Sequence, residues 1–321
     1  GFEKLGQHLD FNQYVTIVDR MNYISPVANE IAWHQSVEAL LGLELTPRCQ
    51  YIRVIFAELM RIHDHLLCCG AAALDLGAFT AFLYLFTQRE RIYDISEYAS
   101  GQRFHPSFTR VGGLLKDVDD PWIEKVRDFV NNFPKAHGDV TRLLNRNRIF
   151  VDRTRGVGVL SKEEAINCSA TGPIARACGV VRDVRKDNPY LAYNDFDFKV
   201  ICAESGDCYA RYLVRMDEML QSLSIIEQAL ENLPSGPVNI DTDSKVTLPN
   251  QLAVYNSIES LIQHFELYMS NRKWETPVDE VYTATETANG ELGFYVVGDG
   301  SGVAYRARTR PPSFIHFSLF P

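Results

Sequence analysis

The chain has 321 residues, 46% of them hydrophobic, and a formal net charge of −9 at neutral pH. This length is sufficient for a large buried core, and we expect two subdomains. The acidic balance and the scattered basic residues argue against nucleic acid, so we expect no nucleic-acid partner.

The cysteines set a further limit on the kind of protein. There are seven of them, an odd number, which argues against a disulfide scaffold and suits a reducing compartment. No Cys-x-x-Cys spacing occurs, so we expect no metal ion or iron–sulfur cluster held by this chain's own thiolates. The chain starts on Gly-Phe-Glu and ends on Leu-Phe-Pro, and we expect both ends to be cut from a longer protein.

Two long helices are indicated near the start by their capping residues. For the first, Ser25 is expected at the N-cap, Pro26 at the first helical position and Gly42 just after the end. The second is predicted to start at Thr46-Pro47 and to run through Cys69. Its apolar face comprises six residues at helical spacing: Ile52, Ile55, Phe56, Leu59, Ile62 and Leu66.

A polar stripe runs along another edge of this second helix. Glu58, Arg61 and His65 are spaced i, i+3 and i+7, which places their side chains in one row. One interpretation is an internal ion-pair network that joins neighbouring helices. The other is a network that relays charge towards Asp75, further along the chain. The spacing does not choose between them.

The stretch Leu66–Phe86 has 21 residues and a single charge, Asp75, so its length would allow it to cross a bilayer. Asp75 lies near its middle, where an ionised carboxylate is costly, and Gly70 and Gly77 flank that residue. We therefore predict a bent pair of helices buried in protein. In either interpretation Asp75 is expected to be a carboxylate in apolar surroundings.

The rest of the chain is predicted to be helical first and β-rich at the end. Further helices are expected in the following ranges: Thr80–Ser100, Pro121–Phe133, Lys135–Asn147, Lys162–Asn167, Asp207–Asn232 and Gln251–Tyr268. After the last helix, alternating residues with Asn289-Gly290 and Gly-Asp-Gly turns indicate a β-meander. The fold class is α+β, mainly α, divided into residues 1–150, 151–237 and 238–321.

Two patterns that resemble functional motifs are better explained structurally. Gly298–Gly302 is glycine-rich but joins strand-like runs and lacks a following Lys-Ser or Lys-Thr, so we predict a turn. His63-Asp64-His65 resembles a metal pair. Residues two apart on a helix point about 200° apart, however, so we favour structural or hydrogen-bonding roles for the two histidines.

Nine segments, in the same order along the chain, resemble one known family: GFEK, DRMNYISPVANE, PRCQYIRVIFAELMRIHDHL, ALDLGAFTAFLYLFTQRERIYDI, GQRFHPSFTRVGG, RGVGVL, TGPIARACGVVRDVRKDNPYLAY, NGELGFYVVGDG and YRARTRPPSF. The family is that of the D subunit of respiratory complex I, the NADH:quinone oxidoreductase. The resemblance covers essentially the whole chain. It implies a helical core similar to the large subunit of nickel–iron hydrogenases, with a C-terminal β-rich region.

The segment around Tyr23 separates this family from the hydrogenases it resembles. In such hydrogenases an Arg-x-Cys-x-x-Cys segment supplies thiolates to the metal centre. Here the run starts at Arg20, and Asn22 and Ser25 stand where the thiolates would be. Asn and Ser are poor ligands for a soft nickel–iron centre, so a hydrogenase is the distant alternative.

The resemblance implies that residues 1–150 line a quinone cavity and assigns functions to four residues. Tyr23 would hydrogen-bond a quinone carbonyl and donate a proton on reduction. Asp75 would be a buried acid that links the site to proton relays, with its pKa raised by desolvation. Arg20 and His105 would lie beside a [4Fe–4S] cluster carried by the adjacent small subunit. Glu58, Arg61 and His65 are assigned to a polar network.

The resemblance also implies partners and a location. The chain alone would bind no cofactor, and its quinone substrate would be shared with the cluster-bearing subunit. Other partners would be further peripheral-arm and membrane-arm subunits, in a complex on the cytoplasmic side of a bacterial inner membrane or the mitochondrial matrix side.

A histidine that the family uses as second quinone ligand, in a His-Pro-x-x-His-Gly segment, and the family's acidic C-terminal end are absent from this sequence. A non-catalytic scaffold of the same fold is the remaining alternative.

Overall fold

The structure is a computed structural model that describes residues 1–241, 246–269 and 275–320. Residues 242–245, which fall between two of the predicted helices, lie outside the described residues. The α-helices are α1 (Phe2–Leu5), α2 (Val15–Val18), α3 (Pro26–Leu41), α4 (Pro47–Asp75), α5 (Phe79–Ser100), α6 (Asp120–Leu144), α7 (Arg148–Thr154), α8 (Lys162–Asn167), α9 (Gly172–Ala177), α10 (Val184–Asp187), α11 (Cys208–Glu231), α12 (Gln251–Asn256), α13 (Ile258–Tyr268) and α14 (Pro312–His316). The strands are β1 (Thr109–Arg110), β2 (Gly113–Leu114), β3 (Glu280–Thr287), β4 (Gly290–Val297) and β5 (Arg306–Arg310). The predicted class, mainly α with some β, is confirmed.

The starts of the first long helices and the end of α3 are as predicted, although the Ser25 side chain at the N-cap position of α3 makes no capping hydrogen bond. Pro26 is the first residue of α3, and Gly42 ends it in the left-handed conformation, at φ +64°, which a residue with a Cβ rarely adopts. Thr46 caps α4 by accepting a hydrogen bond from the backbone N–H of Cys49. The helix α4 continues six residues beyond the predicted end at Cys69, as far as Asp75.

Two predicted helix boundaries were wrong, in opposite directions. Helix α6 is continuous through Pro134, although Pro134 has no N–H for the intrahelical ladder. The apolar face carries on across that position, with Phe133 and Val140 both buried, and this burial offsets the lost hydrogen bond. By contrast, α12 and α13 are separate because Ser257 leaves the helical conformation and caps α13 through the N–H of Ser260.

Helix α4 lies at the centre of the main core. All six residues predicted for its apolar face are fully buried or nearly so. They belong to one cluster with apolar residues of α3, α5, α6 and α11, and the aromatic contacts include Phe56 with Phe108 (ring centroids 4.7 Å apart) and with Trp122 (5.3 Å). Because a buried helix has no solvent-facing side, even its polar residues must find partners inside the protein.

The predicted β-meander is confirmed as the antiparallel sheet β3–β4–β5. Its first turn is Asn289-Gly290, with Gly290 at φ +128°. The sheet shares a second core with α3 and the N-terminal residues. Within it, Trp33 donates from Nε1 to the carbonyl of Phe11 (2.8 Å) and contacts the ring of Phe294 edge-on at 5.4 Å between centroids. The glycine-rich Gly298–Gly302 lies between β4 and β5, outside regular structure, as predicted for a turn.

The polar stripe of α4 is part of a buried ion-pair network. The carboxylate of Glu58 accepts hydrogen bonds from Arg61 (3.1 Å), Arg185 (3.0 Å), the Tyr193 hydroxyl (2.6 Å) and the Ser222 hydroxyl (2.6 Å). Burial alone would raise the pKa of Glu58, but the two guanidinium groups and the hydroxyl donors outweigh it and lower the pKa to about 2.

The network extends from α4 to α9, α11 and β3. His65 donates from Nε2 to Glu218 (2.8 Å), and Arg176 bridges Glu218 (2.7 Å) and Glu286 (2.8 Å). Arg61 reaches back to the sheet by donating to the carbonyl of Glu286 at 2.5 Å. Of the two interpretations of the stripe, the internal ion-pair network is therefore present.

Replacing Glu58 by Gln is expected to lower the free energy of unfolding by about 3 kcal/mol, because the buried Arg61 loses its carboxylate partner and Arg185 loses one of its two, keeping Asp183. The measurement is urea denaturation of the chain at pH 7. The native pKa of Glu58 is lower than its ordinary value of 4.5. Its ionised form therefore stabilises the fold above that value, and the deficit of E58Q relative to the parent should shrink as the pH falls from about 4.5 towards 2.

The matched control is Glu90→Gln, which removes the carboxylate of the exposed Arg103–Glu90 pair. Exposed pairs contribute about 0–1 kcal/mol, so E90Q should unfold almost like the parent. Equal losses of unfolding free energy in E58Q and E90Q would contradict the account of the buried network.

Candidate functional site

Tyr23 lies in the segment that connects α2 to α3 and projects from the protein surface. Its side chain is 56% exposed, and its hydroxyl makes no hydrogen bond to the described residues. The neighbouring Ile24 and Ser25 are buried. The segment therefore presents one free phenol at the surface while its other side is packed against the core.

Asn22 and Ser25, the two residues at the positions of hydrogenase thiolates, are engaged in hydrogen bonds. Asn22 Nδ2 donates to Asp64 Oδ2 at 2.6 Å, and the Ser25 hydroxyl donates to the same oxygen at 3.4 Å. Beside them is a small cavity of about 190 Å³ lined by Met21, Asn22, Asn29, Thr287, Asn289, Leu292, Pro311, Pro312 and Ser313. Among residues 1–241, 246–269 and 275–320, no group of three or more His, Cys, Asp or Glu side chains is arranged to hold a metal ion.

Arg20 and His105 lie near each other on the same side of the protein as Tyr23. Arg20 is exposed and donates to the carbonyl of Thr16. His105 is partly buried, and its Nδ1 has no hydrogen-bond partner among the described residues. Burial, followed by the charge of Arg20, lowers the pKa of His105, while the charge of Asp19 acts in the opposite direction. The structure thus brings together three of the four residues singled out by the resemblance.

A pair of buried carboxyl groups lies behind His105, and sequence reasoning missed it. Asp19 accepts from the Ser107 hydroxyl at 2.7 Å, and Glu30 accepts from the Thr109 N–H at 2.7 Å. Both side chains are fully buried, and one oxygen of each, Asp19 Oδ1 and Glu30 Oε1, has no hydrogen-bond partner among the described residues. Burial raises the pKa of both carboxyls, and the charge of Asp19 raises that of Glu30 further. No spacing in the sequence links residues that approach only through the fold.

The face around Tyr23 continues into a row of aromatic rings that we name the aromatic strip. From Tyr23 the ring centroids are separated by 6.5 Å to Phe104 and 5.9 Å from Phe104 to Tyr93. The Arg89 guanidinium lies 5.5 Å from the Tyr93 ring and 4.6 Å from that of Phe86. The strip consists of Tyr23, Phe104, Tyr93, Phe86, Phe82 and Phe79, the last four on α5.

Asp75 lies near the far end of this strip, four residues before Phe79. The prediction that Asp75 is buried was wrong for this chain, because the last turn of α4 extends beyond the core and leaves the carboxylate exposed. The stretch Leu66–Phe86 does form a bent pair of helices, broken at Leu76–Ala78. One face of that pair is open, however, with Phe79 57% exposed, so the predicted burial of the whole pair was also wrong. Within the part of the chain that the structure describes, no helix is long and apolar enough to span a bilayer.

The comparisons with known proteins agree on one family. The family model described as "Respiratory-chain NADH dehydrogenase, 49 Kd subunit" matches residues 75–321. The D subunit of NADH-quinone oxidoreductase from Methylacidiphilum infernorum is 45% identical over 321 residues, covering 100% of this chain and 76% of the relative. The D subunit of the same enzyme from Pelobacter propionicus is 46% identical over 316 residues, covering 98% of this chain and 78% of the relative.

A further relative, a D subunit of NADH-quinone oxidoreductase from Opitutus terrae, is 46% identical over 321 residues, covering 100% of this chain and 75% of the relative. Identity of this extent along a whole chain establishes common ancestry and a common fold. The resemblance inferred from the nine segments is confirmed, and the chain belongs to the family of the 49 Kd subunit of respiratory-chain NADH dehydrogenase.

Proposed function

We propose that this chain is the peripheral-arm subunit of an NADH:quinone oxidoreductase that forms one wall of the quinone-reduction site. The observation that carries the proposal is the position of Tyr23. Its phenol is half exposed, has no partner among the described residues and stands at one end of the aromatic strip. A partly exposed aromatic strip with a phenol at its end suits a flat, apolar headgroup that carries carbonyl oxygens, and the other hydroxyl of the strip, that of Tyr93, already accepts from Arg89.

Tyr23 is proposed to bind and protonate the quinone. A phenol donates a hydrogen bond to a carbonyl oxygen and can release its proton to the same oxygen once that oxygen becomes basic on reduction. Because the Tyr23 hydroxyl makes no bond to the described residues, it loses no internal hydrogen bond to them when it binds a substrate. The aromatic strip would hold the ring against α5 and exclude water on that side.

Arg20 and His105 are proposed to face a [4Fe–4S] cluster carried by the adjacent small subunit, which supplies the electrons. A positive charge and an imidazole N–H near a cluster favour its reduced, more negative form. The lowered pKa of His105 keeps its ring neutral near pH 7, so it can act there as a hydrogen-bond donor. This chain would bind no cofactor by itself.

Asp75 is proposed as the acid that connects the quinone site with proton translocation. It is exposed in the isolated chain, so a neighbouring subunit would have to cover it to provide the apolar surroundings predicted from the sequence. The exposed apolar residues around it, including Phe79, Leu83 and Tyr84, favour such an interface. The Glu58 network, which is deep in the core, would hold the helix that carries Asp75.

The finer assignments of fold and location follow from the same proposal. The helical core would be similar to that of nickel–iron hydrogenase large subunits, with residues 1–150 lining the quinone cavity, 151–237 forming a mixed segment with a return helix, and 238–321 a linker, helix and β-rich region. Partners would be the cluster-bearing subunit, other peripheral-arm subunits and the membrane arm. The complex would face the cytoplasm of a bacterium or the mitochondrial matrix.

Replacing Tyr23 by Phe in the assembled complex should reduce the quinone-reduction kcat at least 10-fold, since the proton donor is lost while the ring stays in the strip. NADH oxidation by ferricyanide should be unchanged, because it does not require the quinone site. Tyr305→Phe is the control, because Tyr305 is 67% exposed and lies outside the strip. A Y23F complex with parental quinone activity would refute the assignment and favour a scaffold function.

Replacing His105 by Ala in the complex should lower the midpoint potential of the adjacent cluster. Loss of one hydrogen bond of about 1 kcal/mol corresponds to roughly 40 mV for a one-electron couple. Redox titration followed by electron paramagnetic resonance provides the measurement, with the exposed His8→Ala as control. A potential that stays within about 10 mV of the parent value would place His105 away from the cluster.

A further inference from the structure

We infer that His63 and Asp64 are positioning residues for Tyr23. These two consecutive residues of α4 hold the backbone on both sides of the tyrosine. The inference rests on the proposed function of Tyr23 and adds the part of the chain that fixes the phenol in place. The motif His63-Asp64-His65 stood out in the sequence as a metal pair, and the structure gives its first two members a different use.

Asp64 is the point at which side chains from two distant parts of the chain meet, the segment around Tyr23 and the β3–β4 turn. Its Oδ2 accepts hydrogen bonds from Asn22 Nδ2 (2.6 Å), the Ser25 hydroxyl (3.4 Å) and Asn289 Nδ2 (3.1 Å). The side chain is 5% exposed, so these donors replace the water that an ionised carboxylate would otherwise bind. Hydrogen bonds to an ionised acceptor are stronger than neutral ones, which makes Asp64 an effective anchor.

His63 holds the backbone between these two donors. Its Nδ1 lies 2.5 Å from the carbonyl oxygen of Ile24, and because a carbonyl only accepts, Nδ1 carries the proton. Burial, followed by the charge of Arg89, lowers the pKa of His63 to about 3, so the ring is neutral near pH 7. Its Nε2 is then free to accept from Arg89 Nε at 3.3 Å, which fixes the tautomer.

The consequence for Tyr23 follows from the order of these contacts along the chain. Asn22 is held on one side of Tyr23, and Ile24 and Ser25 are held on the other, all by α4. The Tyr23 side chain has no hydrogen bond of its own among the described residues, so its backbone anchors, together with the ring contact to Phe104, determine where the phenol lies. A reacting group displaced by about 1 Å can lose about 10²-fold in rate.

The Asn22–Asp64 contact allows a test in which the two side chains are exchanged. Asn22→Asp places two carboxylates at a contact of 2.6 Å, and Asp64→Asn removes the charged acceptor of all three donors. The double variant N22D/D64N restores one amide and one carboxylate with their positions reversed. The complex is assembled with each variant, and quinone reduction is measured beside NADH oxidation by ferricyanide.

The expected result is a loss confined to the quinone reaction. N22D should lower the quinone kcat about 10-fold, D64N should lower it about 3-fold or more, and the double variant should return to within about 3-fold of the parent. The KM for quinone should change less than kcat, because the other five rings of the aromatic strip are untouched. Ferricyanide reduction should match the parent in every variant, and Asp152→Asn, in an exposed pair with Arg148, is the control.

A second set in the Tyr23→Phe background separates this inference from the proposed function. If Asp64 acts through Tyr23, D64N should cause no further loss of quinone reduction once the phenol is absent. Independent, multiplicative losses would overturn the inference, and so would single variants with parental kcat or a double variant as impaired as N22D. Parental quinone activity in Y23F alone would instead remove the proposed function. If the N22D complex fails to assemble, the comparison of D64N in the parental and Y23F backgrounds still tests the inference.

Discussion

Helix α4 is fixed by charges that have no access to water, and the rest of the candidate site depends on its position. Glu58 is fully buried, and only the Arg61 and Arg185 guanidinium groups with two hydroxyl donors make its charge tolerable there. Because each of these hydrogen bonds has a fixed direction, the network permits only one register of α4 against α11, α10 and β3. It therefore sets the height and rotation of every other side chain on the helix.

About one and a half turns further along, the same helix defines the reactive surface. His63 and Asp64 hold the segment that carries Tyr23, and Arg89 of α5 contacts both His63 and the aromatic strip. A displacement of α4 would thus move the phenol and the strip together. The arrangement links a rigid buried core to a surface group that has no hydrogen bond to the described residues, which suits a site built to receive a substrate.

The loop that carries His105 is fixed in a different way. Ser107 adopts a positive φ of 42°, which is uncommon for a residue with a side chain, and its hydroxyl donates to Asp19. Thr109, two residues on, donates to Glu30 through both its N–H and its hydroxyl. The buried carboxyl pair is thus tied to the loop beside Arg20 and His105. Two buried carboxyl groups therefore lie next to the surface at which electrons are proposed to arrive.

Local signals in the sequence were enough to predict most helices and strands. The geometry of the candidate site, by contrast, depends on contacts between residues that are distant in the sequence. Pro26 at the first position of α3 and the Thr46 cap of α4 were predictable because both signals involve neighbouring residues, and the apolar face of α4 follows from its period. The predicted helix break at Pro134 was wrong because the burial of apolar side chains along α6 outweighs one missing hydrogen bond. The exposure of Asp75 could not be predicted, since it depends on where α4 leaves the core. Asp64 gave no signal because its partner Asn22 is 42 residues away. The Asp19 and Glu30 carboxyls gave none either, because they are 11 residues apart and Glu30 accepts from Thr109, 79 residues away.

The assignment of Tyr23 came from a family resemblance, since a lone tyrosine before a helix has no chemical signature. The structure adds its exposure, its anchors and a hydroxyl that no described residue bonds. The most direct measurement is the structure of the assembled complex with a quinone analogue bound. The account predicts the headgroup on the aromatic strip, with a carbonyl oxygen about 2.7–3.0 Å from the Tyr23 hydroxyl. A headgroup bound elsewhere, or a Tyr23 hydroxyl bonded to a neighbouring subunit instead, would contradict it.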